Sequence, residues 1–420
     1  MATEQPTTTA PHVHSTWKAT VRTILGAAAA VTLILLAFAW PSYAAKPKGM
    51  PLGVVATDAQ RAQLQAQLDA NGGPFTITAY PDRAAAVTAI EQRDVYGALV
   101  LPAASSATTE ALTASAGSAA ATQLLATMTQ KAAATQAQAA AAAKQAAATE
   151  LAQLGAQAAA AQASVKTLQG ITAQNPAQAA ALAPQTKAAT AQAATLGAQI
   201  TAKKAAVEAA PMPKALVTDV VPLAATDSRG TGLAVAGLPL TMGGMIGGIM
   251  IALLLVGWKR RLVAVAGYGV LGGLLISLVL HTWFGFVLGN FAIIWLVSAV
   301  SLAATASFIV GAQALLGRPG QALGAVLTMF IGNPISSQQM PKEWLPGPWG
   351  QIGQWFVPGA SGNLLRSESY FPSASVVQPW MALLGWLVVG VALSILGHHR
   401  DEELVYIEGA VEPDLPRHAS

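Results

Sequence analysis

The sequence predicts an α-helical polytopic membrane protein with six transmembrane helices, plus a small α/β extracytoplasmic domain carrying a long antiparallel helical hairpin. Three observations lead there. Of the 420 residues, 53% are hydrophobic and only 10% charged, against about 25% charged in an average soluble domain. Six apolar runs have the roughly 17–25 residues that cross a bilayer as a helix. Residues 106–210 are mostly Ala and Gln, with apolar positions spaced three and four apart, as in helices that pack along one seam.

The same composition excludes several classes of function. There is no Cys, so no disulfide, thiolate metal site or thiol nucleophile exists. Net charge is +4, but the Lys and Arg residues are scattered or sit at the ends of apolar runs, so no basic patch for nucleic acid forms. The heavy Ala and Gly usage fits a GC-rich bacterial genome.

Residues 1–22 read as a cytoplasmic N-terminal segment and Thr23–Trp40 as the first transmembrane helix. Ser42-Tyr43-Ala44 resembles a signal-peptide cleavage site, which makes a cleaved leader the rival reading. The apolar run exceeds the about 7–15 residues of a signal core, which favours an uncleaved anchor. Residues 41–105 form the extracytoplasmic α/β part. PLGVVA reads as a strand, then a helix capped by Thr57 or Asp58, the alternating PFTITAY, a helix capped by Asp82, and the strand VYGALVLP ended by Pro102. No G-x-G-x-x-G follows the first strand, so a dinucleotide role is unsupported.

Residues 106–210 are the Ala/Gln-rich helical hairpin. One arm steps through Leu151, Leu154, Ala158, Ala161, Val165 and Leu168. The other steps through Leu182, Thr186, Ala189, Ala193, Leu196, Ile200, Lys203 and Val207, with a break between Gly170 and Pro184. An arm of about 40 residues would reach about 60 Å. Residues 211–235 bring a returning strand, Lys214 to Ala225, and the approach to the bundle. The five-helix transmembrane part, residues 236–397, holds spans at Ala236–Gly257, Leu262–His281, Phe291–Leu316, Gln321–Ser337 and Gln378–Gly397, with a Pro/Trp-rich outer segment at 338–377. Residues 398–420 are a cytoplasmic tail.

Orientation follows from the basic flanks. Lys18 and Arg22, Lys259 to Arg261, Arg318 and Arg400 all fall on one side. Both termini are then cytoplasmic and residues 41–235 lie outside, in a bacterial plasma membrane.

No Walker A loop, H-E-x-x-H or G-x-S-x-G is present, so the chain reads as no enzyme, with no cofactor. His12, His14, His398 and His399 lack a third and fourth ligand, so no metal site is expected. The spans are nearly free of charge, which argues against a proton or ion pathway. Gly243, Gly244, Gly247 and Gly248 in the second span, and Gly267, Gly269, Gly272 and Gly273 in the third, make small-residue faces. These serve packing within one chain or a seam between two copies. Trp344, Trp349, Trp355 and Phe356, broken by Pro346, Pro348 and Pro358, suit an interfacial or re-entrant cap.

One span, a large extracytoplasmic insert, then five spans with a Pro-rich outer segment before the last resembles an ABC-2-type transporter permease. Within that group the chain is most similar to the phage-infection-protein (YhgE/Pip-like) branch. YGALVLP (Tyr96–Pro102), DSRGTGLAVAGLPL (Asp227–Leu240) and LPGPWGQIGQWFVPGASGNLLR (Leu345–Arg366) carry the local likeness, which spans roughly residues 15–400. The resemblance implies a permease subunit of an exporter, moving an envelope-related or amphipathic substrate. It implies a homo- or heterodimer of permease units and a separately encoded ABC ATPase. It makes Trp258, Lys259, Arg260 and Arg261 the candidate ATPase coupling loop, and His14–Arg22 a membrane-parallel connecting helix. The alternative is a non-transporting membrane-anchored envelope scaffold or receptor, whose helical rod binds an envelope protein.

Overall fold

The computed structural model describes residues 17–71, 73–101, 108–210 and 214–397. His12, His14, Pro102, His398, His399, Arg400 and the tail 398–420 lie outside the described residues. The chain divides into two compact units, Gly49–Pro222 and Met1–Lys48 with Leu223–Ser420. Helix α1 (Trp17–Ala44) belongs to the latter.

The unit Gly49–Pro222 runs β1 (Met50–Val55), α2 (Asp58–Asn71), β2 (Phe75–Ala79), α3 (Arg83–Glu91), β3 (Gly97–Val100), β4 (Thr109–Thr113), α4 (Ala119–Gln174), α5 (Ala179–Ala209) and β5 (Ala215–Asp219). The sheet order is β2-β1-β3-β4-β5. β1 is parallel to β2 and β3, β4 runs against β3, and β5 is parallel to β4. The crossovers through α2 and α3 run in opposite directions across the sheet, so right-handed connections put the two helices on opposite faces. Leu125 of α4 fills the space where a side chain on Gly97 would stand. Asp82 caps α3 by accepting from the Ala85 amide at 2.8 Å, which satisfies one of the free N–H groups of its first turn.

Adjacent parallel strands need a crossover, and between β4 and β5 that crossover is the pair α4–α5. α4 has 56 residues and α5 has 31; at about 1.5 Å per residue α4 is about 84 Å long. The reversal is a single 3₁₀ turn, Pro176–Gln178. Leu151, Leu154, Ala158, Ala161, Val165 and Leu168 are among the least exposed positions of their stretch of α4. Leu182, Thr186, Ala189, Ala193, Leu196, Ile200, Lys203 and Val207 are among the least exposed positions of α5. Lys203 pairs with Glu150 across the seam.

Arg83 at the start of α3 holds Glu110 on β4 through two hydrogen bonds, Nε to Oε2 and Nη2 to Oε1, each 2.9 Å. Thr218 on β5 also donates to Glu110, at 2.7 Å. The hydrogen bonds from Arg83, ahead of that from Thr218 and the guanidinium charge, hold the Glu110 carboxyl below its ordinary range. A depressed folded pKa contributes stability above the unfolded carboxylate value, about 4.3, and that contribution is lost as pH falls through the folded value. Arg83 is half exposed, so screening limits the effect to about 0.5 kcal/mol. Hydrogen-exchange protection of β4, corrected for intrinsic rate, is expected to fall about two-fold between about pH 5 and pH 3. Glu110→Gln should abolish that part of the dependence; an unchanged profile would refute it.

In the other unit α6 (Thr231–Val235) leads into α7 (Gly237–Leu254). Then come α8 (Trp258–Ser277), α9 (Phe291–Leu316), α10 (Arg318–Ala325), α11 (Trp349–Gly353), α12 (Val357–Tyr370) and α13 (Val377–Leu396). A π-helical segment, Leu278–Trp283, prolongs α8, and another, Val326–Gly332, prolongs α10. Five stretches among the described residues are long and apolar enough to cross a membrane: Trp17–Ala44, Thr231–Leu254, Trp258–Trp283, Phe291–Leu316 and Val377–Leu396. α9 is the central one, with most of its side chains buried against α7, α8, α10, α12 and α13. Asn290 starts it by accepting from the Ala292 amide at 2.9 Å. Gly317, at φ 72°, ends it.

The structure departs from the sequence-based expectation in four places. The expected span Gln321–Ser337 is an eight-residue α-helix and a seven-residue π-helix, about 22 Å at most, short of the about 30 Å hydrocarbon core. Gly332, whose bare Cα admits the Phe356 ring, and Pro334, which has no N–H to continue the ladder, stop it. The first helix reaches from Trp17 to Ala44, beyond Thr23–Trp40. β4 occupies Thr109–Thr113, inside the range assigned to the hairpin, which begins at Ala119. Trp258 to Arg261 are not a loop but the first turn of α8.

Candidate functional site

The turn between α7 and α8 consists of Leu255, Val256 and Gly257, and Gly257 has φ 87°. Such a tight reversal leaves the last carbonyls of α7 without intrahelical partners. Arg261, only 5% exposed, folds back to fill that role. Its Nε donates to the Leu255 carbonyl at 2.9 Å and its Nη2 to the Ala252 carbonyl at 3.1 Å. Gln313 of α9 donates to the same Ala252 carbonyl at 3.1 Å. A guanidinium at a helix C-terminus also meets the negative end of the helix dipole. The four residues expected to act together therefore divide. Arg261 is turned inward as a cap, whereas Lys259 and Arg260 are exposed, with the Lys259 ammonium 5.6 Å from the Trp258 ring centre.

The four glycines of α7 all face neighbours within the chain. A Cβ on Gly248 would stand 2.9 Å from the Ala306 Cα and 3.2 Å from the Ile309 Cβ of α9. Gly244 faces Thr305, and Gly247 and Gly243 face Tyr268 of α8, whose hydroxyl donates to the Gly243 carbonyl at 2.5 Å. The glycines of α8 divide. Gly269 and Gly273 press on Ala299 of α9 and Gly272 on Leu302, while Gly267 has nothing within 4 Å. On the other flank of α9, Gly390 of α13 lies against the Ser307 backbone and Gly397 against Ala314. α9 is thus a rail of small residues that three helices touch through glycine. Its buried hydroxyls are mostly used: Ser298 meets Ser277 at 3.1 Å and Ser301 donates to the Val297 carbonyl at 2.7 Å.

At the opposite end of α7, Asp227 is buried and accepts from the Gly232 and Leu233 amides at 3.0 and 2.8 Å. It satisfies the start of α6, just before the bundle. The Tyr370 hydroxyl donates to the Phe286 carbonyl at 2.7 Å and accepts from the Ala224 amide at 3.3 Å, which ties the end of α12 to two loops. Gln338 reaches between Gly237 and Gly362 and donates to the Pro358 carbonyl at 3.0 Å, while Arg366 donates to the Gln338 carbonyl at 2.7 Å. Trp349 and Trp355 are exposed, and Trp344 and Phe356 are half-buried. The Trp386 indole of α13 donates to the Trp355 carbonyl at 2.8 Å.

Sequence reasoning did not single out Gln313, Asp227, Gln338 or Tyr370. A signal existed for Gln313, the one amide in the 26-residue apolar run of α9. Among the described residues no group of three or more His, Asp or Glu could hold a metal.

A family model described as ABC-2 family transporter protein matches residues 18–396. No curated protein and no solved structure matches the chain.

Proposed function

The chain belongs to the ABC-2 family of transporter proteins, and on that premise we propose that it is the membrane-spanning permease subunit of an exporter driven by a separately encoded ATPase. It is a multi-pass membrane protein and a permease component of that class. The observation that carries the reading is the extent of the family match, residues 18–396, which takes in both units rather than one motif. In this proposal the termini are cytoplasmic, the unit Gly49–Pro222 is extracytoplasmic, and two permease units work as a dimer. The cargo is an amphipathic or envelope-related molecule, and the chain sits in the phage-infection-protein branch.

The ATPase is proposed to meet the α7–α8 turn. Lys259 and Arg260 are exposed there while Arg261 is used internally, so the first two are the residues free to change without disturbing the α7 cap. Purification of the tagged full chain from its own host in mild detergent is expected to bring down an ABC ATPase at near equal amounts. Lys259→Gln with Arg260→Gln is expected to lower that recovery about ten-fold while leaving the chain inserted. Recovery of envelope proteins alone, bound through α4 and α5, would replace this reading with that of an anchored scaffold. One observation favours that second reading: only three residues separate α7 from α8, a small surface for a motor to grip.

A further inference from the structure

The two faces of the sheet in the unit Gly49–Pro222 are packed differently. On the α3 side Ala86, Ala89 and Ile90 are 0–4% exposed and the layer is closed. On the other side α2 buries no residue fully: Leu64 and Leu68, its inward leucines, are only half-buried. Between α2, the strands and the first turns of α4 lies a cavity of about 640 Å³. Leu52, Phe75 and Leu99 make its floor, and Leu64, Leu68 and Leu125 its walls.

The cavity is a cleft open to solvent on the side where Gln63, Gln67 and Met128 are exposed. It falls within the roughly 300–1,000 Å³ of small-molecule sites. Its polar lining is glutamine amides and threonine hydroxyls, with no charged side chain among the lining residues. Gln63, Gln67 and Gln136 are exposed and so stand at the rim. An ionised ligand buried there would lack a counter-charge. A peptide would need partners for its N–H and C=O groups, and the strands beneath its centre, β1 and β3, use theirs in the ladder on both sides. The slot follows α2 from Gln60 to Leu68, about 12 Å along the helix axis.

We propose that this cavity binds an unbranched alkyl chain, the tail of a lipid or of a free fatty acid, with the polar head left outside among the rim glutamines. The inference stands apart from the transport reading, since it uses only the α/β unit.

The test is photolabelling of the full chain in nanodiscs. One arm uses a long-chain fatty acid with a mid-chain diazirine, and a second uses a phosphatidylglycerol carrying the same chain. Labelled peptides are mapped by mass spectrometry. Saturable labelling is expected within residues 60–75 and 125–136, competed by the unlabelled chain, and the arm that labels identifies the source. Leu64→Trp and Ala133→Trp, on different helices, should each fill the slot and lower labelling about ten-fold. Hydrogen exchange of β1 and β3 checks that each variant is folded. Labelling confined to the transmembrane helices, or equal in folded variants and the unaltered chain, would overturn the proposal.

Discussion

Gly248→Leu is expected to destabilise the bundle by about 3 kcal/mol or more. The reason is what lies opposite. The first added atom would stand 2.9 Å from the Ala306 Cα, and main chain cannot swing aside as a long side chain can. Leucine gains about 1 kcal/mol in helix propensity over glycine, too little to offset the clash. The matched control is Gly267→Leu on α8, where nothing lies within 4 Å. That variant should be neutral or stabilised by up to about 1 kcal/mol. Thermal unfolding of both variants in detergent, with size-exclusion of the native species, separates the alternatives. Equal midpoints would sink the α7–α9 contact. A Gly267→Leu chain that unfolds normally but loses a dimer would make the open α8 face a seam between copies.

Arg261→Ala is expected to cost about 3 kcal/mol, the scale of losing charge-assisted bonds to buried carbonyls. The penalty is raised here because Arg261 is only 5% exposed, so little water reaches the carbonyls it would leave behind. Arg261→Lys keeps the charge but not the planar fork, and about half of the loss is expected to remain. The damage should be local: hydrogen-exchange protection at the last turn of α7 should collapse while that of α9 holds. Unchanged protection at Ala252 to Leu255 would show that Arg261 does not cap the helix. This prediction separates two roles that the basic cluster holds together. Lys259 and Arg260 are expected to affect partner recovery and not stability, Arg261 the reverse.

α9 was legible to the residue, because Phe291–Leu316 is an uninterrupted apolar run, which the structure shows capped by Asn290 and ended at Gly317. The β1–α2–β2–α3–β3 alternation was legible too, with Asp82 as a cap. β4 was not: TEALT is five residues long, offers no aromatic or Val/Ile signal, and adjoins an Ala-rich run that pulls the reading toward helix. The segment after α10 misled because an apolar run reports burial and says nothing of a π-helical stretch or its short reach. In the site, the glycines announced close packing but not the partner helix. The basic residues announced sidedness, and nothing in their spacing set Arg261 apart. That role depends on how tightly Gly257 turns the chain, a tertiary fact.

The glycine rail along α9 has a mechanical consequence. Helices that interlock by inserting side chains into holes resist being pushed lengthwise, because each knob must climb out of its socket. Gly248 on Ala306, Gly273 on Ala299 and Gly390 on Ser307 touch through main chain and have no teeth to engage. Such surfaces hold two rods at a fixed separation yet give little purchase against axial slip, the geometry of shear between packed helices. At these points α9 is a smooth bearing surface for α7, α8 and α13, and resistance to lengthwise travel falls to a few side-chain links: Ser298 to Ser277, Gln313 to Ala252 and the Phe308 ring against Trp386.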